Sequence, residues 1–382
     1  MVIIYLALQR SPPPLKLLNY SPYLVAALAF GATKFFMVPS SNPPKTREGG
    51  SHLRRDLRLR SPYEQLQGKL LVDMSDSVHS EITVYRSAMS ATFQNKEFVA
   101  LEREAERLRG ARGKFGDGSF KIDAFYDGVL AMDHETEANF HEHFAIHRDW
   151  EAARPDSLTR QVALAMLLTD YAWFARGSGW ANTVTEEGGR LMRQRLNKAS
   201  QILISASKFK EKDPAWFGAA LRVGIGLGFD AKAMDFIVTS AKKDFPDYWP
   251  VDCARAYSLL PRWYGESGDW EKYAEIASSN AGGAGPETYA RIAIRLMSIH
   301  NDLFRETNVS WPRTKEGLEL MMERYPDSKL IQSQAAKLGA MALDFHFAKE
   351  RFDELGSQWI GAAWADADEF VIYRTAARRG RW

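Results

Sequence analysis

Four of the eight histidines fall in one short stretch, His134, His141, His143 and His147. His143 and His147 are four residues apart, a spacing that puts two imidazoles on one helix face and can hold zinc. The pattern is not the His-Glu-x-x-His of zinc peptidases, because Glu142 precedes His143 and Phe144 follows it. Phe140, Phe144 and His147 also form a stripe that leads to Trp150. The spacing therefore predicts His147 at the edge of a core, with His141 and His143 facing solvent. The alternative is a metal site built from His134, His143 and His147.

Other chemical signatures fail on spacing. Gly110 to Lys114 lacks the leading glycine and the Ser/Thr of a phosphate-binding loop. Gly224, Gly226 and Gly228 lack the third spacing of a dinucleotide site and follow a helical pattern; they read instead as thinning one helix for a neighbour. There is no Gly-x-Ser-x-Gly elbow. Cys253, the single cysteine, excludes an internal disulfide and a cysteine-based zinc site. No catalytic residue and no cofactor is expected, and the reading leans away from an enzyme.

Two loops read as contact sites. Arg176 to Trp180 and Arg262 to Trp270 each combine arginine, aromatic rings and glycine at a helix end. Arg, Trp and Tyr dominate interface hot spots because they join large area to a polar handle. Arg176, Trp180, Arg262, Trp263, Tyr264 and Trp270 are the candidate partner-binding residues. The competing reading is that the arginines bond helix-end carbonyls or carboxylates while the tryptophans lock helices together.

The elements that carry these loops are helical. From Ser61 onward apolar residues recur every three or four positions, and strand-like alternation is scarce. Ser61-Pro62 and Asp213-Pro214 place a capping side chain before a proline. Thr183 and Glu186 have capping-box spacing, and Asn95 is placed to cap a helix over 96–109 with the stripe Phe98, Leu101, Ala105 and Leu108. A long helix is expected from near Ser157 to Gly177, and Pro246, Pro261 and Pro326 end others. Helices are expected in pairs at 214–228 with 231–244, 249–260 with 269–279, 286–305 with 312–324, and 328–345 with 348–360. That spacing of roughly 35 to 45 residues suits stacked helical repeats. The expected fold is all-α, an irregular α-solenoid or tetratricopeptide-like array of paired antiparallel helices over 61–382, clearest at 213–360.

Composition agrees with a packed body. Hydrophobic residues make up 45% and charged residues 26%, which excludes wholesale disorder. With 50 basic against 48 acidic residues, the charge balance gives no reason to expect nucleic acid. The 11 Trp, 14 Tyr and 21 Phe supply rings to fill gaps between helices.

The first 60 residues differ. Pro22 to Val38 is apolar apart from Lys34, at the lower limit for crossing a bilayer, and Ala29-Phe30-Gly31 is an acceptable signal cleavage site. Residues 1–38 are thus a signal or a membrane anchor. Residues 39–60 are a Pro/Ser/Gly linker carrying Lys45, Arg47, Arg54, Arg55, Arg58 and Arg60, charges that favour anionic headgroups. Membrane association through residues 16–60, or export, is expected; if Met37 is the true start, the chain stays cytoplasmic.

Three segments resemble a bacterial family, the domain of unknown function numbered 4034. They are Lys114 to Ile122 with Phe125-Tyr126, Pro155 to Ser157 with Trp173 to Trp180, and Leu260 to Gly265 with Gly268-Asp269-Trp270. The resemblance implies a helical, tetratricopeptide-like fold and supplies no activity. The functional expectation is a non-enzymatic scaffold for a protein or peptide partner at or beyond a membrane, with an enzyme or metal protein using His134 to His147 as the alternative.

Overall fold

Asp213 and Ser157 show how the chain fixes its helix starts. Each accepts a backbone N–H of the first turn, Asp213 Oδ1 from Ala215 at 2.9 Å and Ser157 Oγ from Arg160 at 2.8 Å, filling donors a helix start leaves open. The computed structural model describes residues 71–72, 77–177 and 183–382; Trp180 and the apolar and basic segments of residues 1–70, Ser61-Pro62 included, lie outside them. None of the described helices is long and apolar enough to cross a membrane.

Among the described residues sixteen helices follow one another: α1 (Ser77–Gln94), α2 (Phe98–Ala111), α3 (Lys121–Val129), α4 (Glu137–Ala153), α5 (Leu158–Arg176), α6 (Glu186–Ala206), α7 (Pro214–Leu227), α8 (Ala231–Asp244), α9 (Pro250–Ser258), α10 (Asp269–Ser278), α11 (Pro286–Met297), α12 (Leu303–Glu306), α13 (Trp311–Arg324), α14 (Lys329–Met341), α15 (Phe345–Leu355) and α16 (Ala367–Arg379). Two two-residue strands, β1 (Leu71–Val72) and β2 (Gln358–Trp359), pair in parallel. The fold is an all-α helical array.

Neighbours in sequence pack as pairs: α5 lies along α6, α11 on α13, α14 on α15, and α7 and α9 on α8 and α10. The first members also touch in succession, α7 on α9 and α9 on α11. That double pattern lets each pair bury its apolar stripe on the next. One continuous core runs from Phe93 to Phe347, and a second, around Phe352, Trp364 and Phe370, seats α16 on α14 and α15.

Several boundaries differ from expectation. The cap of α6 is Thr185, accepting from Gly188 at 3.0 Å, rather than Thr183, because Thr185 is the residue in extended backbone before the first turn. The turn at Lys96 (φ 59°) delays α2 to Phe98, so Asn95 does not cap it; the expected stripe of Phe98, Leu101, Ala105 and Leu108 is buried. The helix expected over 286–305 stops at Met297 and resumes as α12. Its pair partner is α13, as expected. The turn at Leu343 (φ 62°) lets Asp344 cap α15 at Phe345, ahead of the expected 348.

Glycines permit the closest helix approaches. Side chains at Gly224 and Gly226 would strike Met234 and Leu196, as a thinned helix requires. Gly317 is tighter still: a Cβ there would run into the carbonyl oxygen of Pro286 and come within 2.7 Å of the Ala290 Cβ, on the α11–α13 contact. Backbone cannot swing aside. Gly317→Ala is therefore expected to cost about 1–3 kcal/mol, whereas Gly110→Ala, in open space on α2, gains roughly 0.5–1 kcal/mol. Thermal unfolding of the two variants checks this; equal melting temperatures would contradict the close approach.

Candidate functional site

The C-terminal end of α5 meets the loop that follows α9. Trp173 near the end of α5 and Trp263 after α9 stand edge to face with ring centroids 5.6 Å apart. Arg176 lies over the Trp173 ring at 5.6 Å and Arg262 over the Trp263 ring at 5.2 Å, so two cations sit on two adjoining indoles. Burial, and after it the Arg262 charge, pulls the Arg176 guanidinium below its ordinary value. Arg176 also donates to the Gly177 carbonyl at 3.2 Å.

The other loop candidates have structural duties. Trp270 is only 2% exposed and belongs to the core. Tyr264 is 48% exposed, yet its hydroxyl donates to the Ile225 carbonyl at 2.6 Å and fastens the loop to α7. Trp180 lies outside the described residues.

The histidines do not converge on a metal. His134 is exposed in the turn before α4, while His143 and His147 share a buried face of α4 against the Phe93 ring, at 5.2 and 5.3 Å. Among the described residues no three His, Cys, Asp or Glu side chains group as metal ligands. His141 faces solvent as expected; His143 does not, because α1 brings Phe93 over it. His147 lies deeper than the core edge. It is 2% exposed, stacks on Trp150 at 5.8 Å, and neither ring nitrogen has a hydrogen-bond partner.

That unpartnered imidazole forms part of the wall of a cleft of about 470 Å³ between α4, α5 and α6. Phe144, Leu164, Leu168 and Leu191 give it an apolar lining. Arg160 and Arg195 are anchored in its walls. Arg160 pairs with Glu151 at 3.0 Å; Arg195 donates to the Tyr171 carbonyl at 2.7 Å and lies 3.1 Å from the Tyr171 ring centroid. Sequence reasoning missed this cleft. Its cations come from separate helices, and the one local sign was Arg148 next to His147.

The glycine-aromatic motif at Lys114 to Phe120 is a clasp rather than a site. Lys114 pairs with Asp247 at 2.8 Å, the Gly118 carbonyl accepts from the Trp249 indole at 3.4 Å, and the Asp117 carbonyl accepts from Arg291. Phe120 meets the Tyr248 ring at 4.9 Å. The loop thereby joins α2 and α3 to α9 and α11.

These features define an all-α array with a cationic tryptophan junction and an amphipathic cleft on its N-terminal half. Residues 85–225 match the model of a family described as Domain of unknown function (DUF4034), and this stretch is similar to that family. It holds the whole cleft and two of the three motifs named above; the Leu260–Trp270 motif lies beyond it. No curated protein and no solved structure matches the chain.

Burial, then the neighbouring His143 and Arg160, pushes the His147 pKa down to about 3. Its unfolded value is about 6.5, so between the two the unfolded chain binds a proton that the folded chain refuses. This residue's contribution to stability is thus lost as the pH falls, at up to about 1.4 kcal/mol per pH unit. Asp123 acts in the opposite sense, because burial pushes its carboxyl up to about 7 against the pull of the Tyr248 hydroxyl. The difference between wild type and His147→Phe isolates the histidine. The variant is expected to gain melting temperature relative to wild type steadily from about pH 6.5 down to about pH 4; a pH-independent difference would contradict a neutral buried imidazole.

Proposed function

We propose that the chain is a non-enzymatic helical-repeat protein, tetratricopeptide-like in its stacking, that serves as a scaffold for a protein or peptide partner at or beyond a membrane. The observation that carries this reading is the meeting of Arg176 and Trp173, at the end of α5, with Arg262 and Trp263 from a loop far away in sequence. Trp173 is buried in the core, and the two arginines with the half-buried Trp263 are what the junction presents to a partner, residue types that dominate interface hot spots. The partner contact this favours is an acidic group beside an apolar or aromatic one. Stacked helix pairs supply the extended surface such scaffolds use. Residues 16–60 would tether or export the chain, the apolar run entering the bilayer and the basic run meeting anionic headgroups.

One experiment tests both parts. Cells expressing the tagged intact chain, a version starting at Ser61, and Arg176→Ala/Arg262→Ala are fractionated, and each chain is recovered with whatever it holds. The intact chain should be found with membranes or exported and carry a stoichiometric partner. The Ser61 version should leave that fraction, and the double variant should stay there but lose the partner. Identical soluble partition of the first two would remove the membrane role. A partner retained by the double variant, or none above background, would remove the junction.

A further inference from the structure

The cleft between α4, α5 and α6 has no part in the partner contact proposed above, and its lining is unusual for a gap between helices. Its volume of about 470 Å³ falls in the range of about 300–1,000 Å³ typical of small-molecule sites. One wall is the face of α4 that carries Phe144, His147 and Arg148; Leu164 and Leu168 of α5 and Leu191 and Lys198 of α6 close the other side.

Two observations point to a ligand. First, His147 is buried with both nitrogens unbonded, although buried polar groups nearly always find partners. The ring is nonetheless part of the cleft wall, so a molecule bound there lies against it. Second, the cations of the lining are not balanced. Glu151, its one acid, is bonded to Arg160, and Arg195 reaches Glu137 at 3.5 Å. Arg148 and Lys198 have no ion pair or hydrogen bond among the described residues.

We infer that this cleft binds a free monocarboxylic acid with an aliphatic body, its carboxylate taken by Arg148 and Lys198 beside the His147 ring, and its chain laid on Phe144, Leu164, Leu168 and Leu191. A single negative charge suits the site. Two uncompensated cations hold one carboxylate well, whereas a polyphosphate would press charge against leucines and an unprotonated imidazole. An aliphatic body covers the apolar wall that the open cleft leaves wet.

Calorimetric titration of the intact chain with decanoate, below its aggregation concentration, tests the site, with decanol as the uncharged control. Saturable one-site binding of decanoate is expected, with decanol weaker by about tenfold or more. Arg148→Ala/Lys198→Ala removes two exposed side chains without partners, so the fold is kept; it should weaken decanoate about tenfold and leave decanol unchanged. Decanoate should also shift the His147 ring signals in nitrogen-detected spectra of the wild type. The proposal is overturned if decanoate does not saturate, if decanol binds equally, or if the double variant binds decanoate like wild type. Selective binding of a peptide's C-terminal carboxylate in place of decanoate also overturns it.

Discussion

The carboxylate of Asp213 is the point on which the rest of the structure hangs. Its side chain is fully buried, and burial drives its pKa up while Arg109 and the hydroxyl of Tyr126 pull it back. One oxygen caps α7; the other accepts from Tyr126 at 2.6 Å and from Arg109 at 3.3 Å. Arg109 continues to Glu211 at 2.9 Å and to the Thr159 hydroxyl at 3.1 Å. One acid therefore ties α2, α3, α5 and α7 together. A buried charge left without its partner costs about 3–5 kcal/mol, so these four helices are constrained as a set.

Both candidate sites depend on that set. Near its start α5 is held by Thr159 in the Asp213 network and by Ser157, whose hydroxyl also bonds Glu102. Near its end it carries Trp173 and Arg176 to the α9 loop. Along its length it forms one wall of the cleft, with Tyr171 held between Arg195 and Glu137. The clasp at Lys114 to Phe120 extends the restraint from α2 and α3 to α9 and α11. A contact surface built from separate loops needs such rigidity, since ordering flexible loops on binding costs affinity.

Much of this was legible in the residues. Asp213-Pro214 and Ser157 marked real helix starts because their side chains reach the first-turn N–H groups, and Gly177 a real end because it takes a positive φ. The stripe of α2 and the pairing of 231–244 with 214–228 followed from periodicity alone. Effects set by distant chain were not legible. The burial of His143 is due to Phe93 on another helix, and the choice of Thr185 over Thr183 turns on backbone direction. The site residues were legible as types, not as an arrangement. Nothing local to Trp173 or Trp263 says that they touch, and nothing near Arg148 announces Lys198 across the cleft.

Amide hydrogen exchange on wild type and Asp213→Asn tests the central constraint most directly. Asparagine caps a helix as well as aspartate does, so the substitution removes the charge that Arg109 needs and leaves the cap. The amides of α2, α3, α5 and α7 are expected to lose protection together and by a similar factor, as one opening unit. Unchanged protection in α2 and α3 would mean that Asp213 serves α7 alone.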